Sequence, residues 1–66
     1  MNINQIPQII EMMKQSSKKV WRLGNGWNIK EIGNHREYEL FNDDENTFIN
    51  CKNINEIMQE LEKVEN

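Results

Sequence analysis

The sequence predicts an α+β domain: a helix, a three- or four-stranded antiparallel sheet, and a second helix. Three observations carry that expectation. Apolar residues recur at helical spacing near both ends, the middle holds short apolar runs and alternating stretches, and Gly-, Asn- and Asp-rich punctuation cuts it into strand-length pieces. The 66 residues suit one small domain, residues 1–66. A chain this short buries only about 60% of the surface it exposes when unfolded, so its core is thin. A thin core leaves little material to wall an enclosed pocket, which favours a surface that binds over a cavity that catalyses.

Ile6, Ile9, Ile10 and Met13 form one apolar stripe, with Met12 beside it. Pro7 suits a first helical turn, where its missing N–H costs nothing, and Asn4 or the residues just after it can cap. This helix should end near Ser16-Ser17. A rival reading runs it on through Val20 and Trp21, across two serines and two lysines. Lys19 to Leu23 and Trp27 to Ile32 read as strands joined by Gly24-Asn25-Gly26, since glycine and asparagine tolerate the positive φ of a tight hairpin. Gly33-Asn34 marks a second turn. Glu37 to Phe41 alternates polar and apolar, Asn42 to Asn46 makes a third turn, and Thr47 to Cys51 completes a short strand. Asn53 followed by Glu56 makes a capping box for a last helix, whose apolar face is Ile54, Ile57, Met58, Leu61 and Val64. The sheet should have one face under the helices and one in water.

Charge is unevenly spread over a chain of net −3. Residues 1–36 hold six basic and two acidic residues, a net +4, and residues 37–66 hold two basic and nine acidic, a net −7. With Tyr38 and Leu40 pointing inward, Glu37 and Glu39 point outward together. Asp43, Asp44 and Glu45 come next in the turn, so five carboxylates are expected along one hairpin. An acidic row can imitate nucleic-acid phosphates and occupy a basic groove on another protein. It can equally be a solvated hairpin that keeps an edge strand from pairing with other chains. The cations Lys14, Lys18, Lys19 and Arg22 beside Trp21 make only a small patch, so direct nucleic-acid binding is not expected.

Other residues carry less chemistry. His35 is the single histidine, placed in a turn with Glu37 two residues on and no nucleophile paired with it. The 42–46 turn lacks the alternating ligands and central glycine of a calcium loop. No Cys/His spacing suits a metal and no glycine loop suits a phosphate, so neither metal nor cofactor is expected. Cys51 is the single cysteine and reads as a small core residue. Trp21 and Trp27 read as core fillers, or as interface anchors if exposed. The absence of a membrane-length apolar run and of a secretory start points to the cytoplasm. Alanine is absent and Asn, Ile, Lys and Glu abound, a composition of AT-rich codons that suggests a bacterial genome of that kind, or a phage or mobile element within one.

Two family resemblances arise from these segments. Met1 to Asn4 before an amphipathic helix, then a short antiparallel sheet with Glu37-Tyr38 and the acidic Asp43, Asp44 and Glu45, resembles small acidic phage-encoded anti-CRISPR proteins. That resemblance implies an inhibitor of type II CRISPR effector nucleases acting at their DNA-binding surface. Asn25-Gly26-Trp27 with Gly33-Asn34-His35 after it resembles the Asn-Gly-Trp and Gly-Ser-His elements of HicA-type messenger-RNA-cleaving toxins. That second resemblance implies a catalytic His35. Together the residues and the first resemblance suggest a non-enzymatic binding protein of a phage or mobile element. It would inhibit a host protein that has a basic nucleic-acid-binding surface, through Glu37, Glu39, Asp43, Asp44 and Glu45. A small ribonuclease using His35 and a homo-oligomeric interaction module are the alternatives.

Overall fold

The computed structural model describes residues 3–33 and 37–65. A 3₁₀ turn, Ile3–Gln5, leads straight into α1, Ile6–Ser16. Four strands come next, β1 (Val20–Gly24), β2 (Trp27–Ile32), β3 (Glu37–Asn42) and β4 (Thr47–Cys51), and then α2 (Ile54–Glu65). The strands form an antiparallel meander in the order β1-β2-β3-β4. Both helices share the face that carries the core, which makes the domain an α+β fold with two layers.

Each boundary has a local cause. Pro7 sits in the first turn of α1, but the cap position is Gln5, which makes no side-chain capping bond. The helix stops at Ser17, whose backbone is left-handed at φ 58°. The Lys18 amide then folds back to the Met13 carbonyl at 3.1 Å, satisfying an end-of-helix acceptor. A helix continuing through Val20 and Trp21 is thereby excluded, and β1 begins at Val20, one residue later than expected. The two-residue loop Asn25-Gly26 has φ of 53° and 82°, the double positive φ that matches a tight hairpin to strand twist. At α2, Asn53 Oδ1 accepts the Glu56 amide at 2.9 Å. Glu56 in turn accepts the Lys52 amide, one residue outside the usual capping-box partner.

Strand alternation sorts the sheet cleanly. Trp27, Ile29, Tyr38, Leu40 and Cys51 face the helices and meet Ile6, Ile10 and Met13 from α1 and Ile57 and Leu61 from α2. Removing each of the large aliphatic side chains from water stabilises by about 1.5–3 kcal/mol, before the entropy of ordering is subtracted. Trp27 is in the core as expected, whereas Trp21 is only half-buried on the edge strand, and Val64 lies exposed past the last core turn of α2.

The two turns at one end of the sheet are laced together by a pair of buried asparagines. Asn42 Oδ1 accepts the amides of Asp44 and Glu45 at 2.9 and 3.0 Å, and its Nδ2 donates to the Asn25 carbonyl at 3.3 Å. Asn28 Nδ2 donates to the Gly26 carbonyl at 3.2 Å and to Asp43 Oδ2 at 3.3 Å. Gly26 fits between them: a Cβ there would lie 2.7 Å from Asp44 Oδ2 and 3.0 Å from Asn42 Oδ1.

Asn42→Ala should therefore lower stability by about 1–3 kcal/mol, because it strips several turn groups of their partner at once. The exposed Asn50→Ala should change it by less than about 0.5 kcal/mol. Urea unfolding of the two variants side by side checks this. Burial, with the charges of Glu60 and Glu56 adding to it, pushes the Cys51 thiol up to about 11. Iodoacetamide near pH 8 should spare Cys51 in the folded chain and modify it in urea, as read by mass spectrometry.

Candidate functional site

The helix-free face of the sheet carries the alternate residues of each strand. Cα pairing sets them in rows: Val20, Lys30, Glu39 and Asn50 across the four strands, and Arg22, Asn28, Phe41 and Phe48 in the next row. Phe41 and Phe48 stack across β3 and β4 with ring centroids 6.3 Å apart and planes 21° apart. Phe48 is 64% exposed, the most exposed large apolar side chain among the described residues. Cross-strand aromatic pairing stabilises a hairpin modestly, but a Phe in water gains little from burial, so its presence is not explained by the fold alone.

The five carboxylates expected on the hairpin fall into two groups. Glu37 and Glu39 lie on the open face of β3, about 7 Å apart along the strand, and Asp43, Asp44 and Glu45 occupy the turn at its far end. Six residues of extended chain separate Glu37 from Asp43, about 20 Å. Glu39 is half-buried and stands opposite Lys30 in the ladder. Asp43 receives Asn28, and Asp44 closes over Gly26, so both also shape the turn. Glu37 and Glu45 are the exposed members whose side chains have no structural duty of that kind among the described residues. The aromatic pair lies between the two acidic groups. His35 and Arg36 lie outside the described residues.

Two features escaped the sequence reading although the same alternation contained them. Tyr38 and Leu40 pointing inward oblige Phe41 to point outward with Glu37 and Glu39. Ile49 and Cys51 inward likewise send Phe48 outward. Trp27 and Ile29 inward place Glu31 on the helix side, where its carboxylate is 2% exposed and meets Lys19 Nζ at 3.1 Å. Glu31 stands opposite Tyr38 in the ladder. Burial, and then the Glu31 charge, raise the Tyr38 phenol above its ordinary 10.0. On the basic side, Lys18 Nζ lies 5.3 Å from the centre of the Trp21 ring.

Among the described residues, no group of three or more His, Cys, Asp and Glu side chains is placed to hold a metal ion. Among them, too, no helix is long and apolar enough to cross a membrane. No protein-family model, curated protein or solved structure matches this chain.

Tyr38 is the single tyrosine, so ultraviolet titration reads it alone. Its midpoint should lie above 10.0 in the folded chain and fall in Glu31→Gln. Cys51 and Tyr38 both hold their protons more tightly when folded. The Cys51 contribution to stability is therefore complete below about pH 9 and is lost as pH rises through about 11, and that of Tyr38 is complete below its ordinary 10.0 and is lost as pH rises through its raised folded value. Denaturant titrations across that range should show falling stability, with a shallower fall in Cys51→Ala.

Proposed function

We propose that this chain is a binding protein that docks through the open face of its β3–β4 hairpin onto a basic, nucleic-acid-binding surface of a host protein. Docking there blocks that surface. The observation that carries the reading is the exposed Phe48, stacked on Phe41 between the carboxylates of β3 and those of the turn. Interfaces draw most of their energy from a few large side chains that become fully desolvated. A ring already held by its neighbour loses little freedom on binding, which lowers the cost of association. The flanking Glu37, Glu39, Asp43, Asp44 and Glu45 supply the sign of the field. They steer the face toward a cationic partner and away from nucleic acid itself. The resemblance to anti-CRISPR proteins makes a CRISPR effector nuclease the first host protein to try. The partner then holds an apolar recess for Phe48 within a rim of Lys and Arg.

The test is affinity capture from nuclease-treated lysate of the bacterial host, and then competition with nucleic acid. A basic nucleic-acid-binding protein should be retained and released by added DNA or RNA. Phe48→Ser should weaken retention by at least about tenfold, the effect of a hot spot worth more than about 1.4 kcal/mol, without altering the fold. Glu37→Lys with Glu45→Lys should weaken it further at low salt than at high salt. Retention unchanged by Phe48→Ser, or retention of RNA in place of protein, overturns the reading. RNA cleavage abolished by His35→Ala would establish the ribonuclease alternative instead.

A further inference from the structure

A second surface lies on the opposite edge of the sheet, and it has the parts of a peptide-binding cleft. β1 ends the strand order, so among the described residues no strand lies on the outer side of its backbone. The Glu31 amide donates to the Lys19 carbonyl at 2.8 Å, which makes Lys19 and Glu31 a hydrogen-bonded pair. By the alternation of an antiparallel ladder, Trp21 faces β2 in the same way, and Val20 and Arg22 turn their N–H and C=O groups to the free edge.

Beside this edge, between α1 and β1, run two adjoining depressions of about 310 and 380 Å³ that share Met12 and Trp21. Ile9, Met12, Trp21 and Leu23 line them with apolar surface, and Lys18 and Arg22 stand at their margins. Met12 is 41% exposed, and a methionine so placed can refit around different side chains. The charged residues that line the cleft, Lys18 and Arg22, are both cations.

We propose that the α1–β1 cleft binds an extended acidic peptide segment of a partner protein, which adds to the sheet as a fifth strand along β1. The Val20 and Arg22 backbone groups supply the hydrogen bonds. Alternate apolar side chains of the peptide enter the Met12–Trp21 cleft, and its carboxylates meet Lys18 and Arg22. Main-chain pairing provides affinity in such augmentation, and the cleft and its charge provide selectivity. The Phe41–Phe48 pair lies toward the other edge of the sheet, on β3 and β4, with carboxylates around it, whereas the charged residues lining the cleft are cations.

The experiment is fluorescence anisotropy with a fluorescein-labelled peptide of about eight residues alternating glutamate and leucine, with a lysine–leucine peptide as counterpart. The acidic peptide should bind and quench the half-buried Trp21, and its affinity should fall with salt. Val20→Pro removes an edge N–H without touching the β1–β2 ladder and should weaken binding about tenfold or more. Lys18→Glu with Arg22→Glu should do the same, while Lys52→Glu, away from the cleft, should not. If Val20→Pro fails to fold by circular dichroism, the charge variants decide alone. Equal binding of the lysine peptide, or indifference to the variants, overturns the proposal. So does displacement of the peptide by an oligonucleotide, or self-association abolished by the same variants, which would give the edge to nucleic acid or to a second copy of the chain.

Discussion

Both helices lie on one face of the sheet, and nearly everything else about this molecule depends on that one-sidedness. A chain of 66 residues has apolar material for one layer of contact between helices and sheet, and it is spent on the side of Ile29, Leu40, Ile57 and Leu61. No helix among the described residues then covers the other side of the sheet, whatever it carries. On β3 and β4 it carries Phe41 and Phe48, and on β2 and β3 it carries Lys30 opposite Glu39. A protein with a second layer would have covered those rings. Here they form a small aromatic island across β3 and the edge strand β4.

The Asn28–Asn42 clasp shows how the sheet end is held without a second core. Two buried amides satisfy the backbone groups of both turns and fix the β3–β4 turn against the β1–β2 turn. Asp43, Asp44 and Glu45 are thus held in a defined position on the rim of the open face. Their mutual repulsion is tolerable at the surface, where screening is strong. The charge asymmetry of the chain becomes a spatial one, with cations about the α1–β1 edge and carboxylates along β3 and its turn. The two regions therefore carry charge of opposite sign.

The architecture was legible because its signals are local. Helical spacing at Ile6, Ile9, Ile10 and Met13, the Asn25-Gly26 turn and the Asn53–Glu56 cap each fix a short stretch of chain independently of the rest. The features that sequence reading missed needed two elements at once. The lacing of the two turns depends on Asn28 and Asn42, on neighbouring strands, each reaching groups of the other strand's turn. The acidic residues were legible as a group by sequence, but an extended strand separates Glu37 from Asp43 by about 20 Å, so proximity in the chain did not become one cluster. The outward rings of Phe41 and Phe48 were written in the same alternation that placed Tyr38 and Leu40. They were overlooked because aromatic residues are ordinarily counted toward the core.

The central claim is that the helix-free face is the docking surface, and photo-cross-linking tests it most directly. A benzophenone amino acid placed at position 48 and, separately, at the exposed position 59 of α2 would be irradiated in nuclease-treated host lysate. The account predicts one discrete protein adduct from position 48 and none from position 59. Adducts from position 59 alone, or the same adducts from both positions, would contradict it.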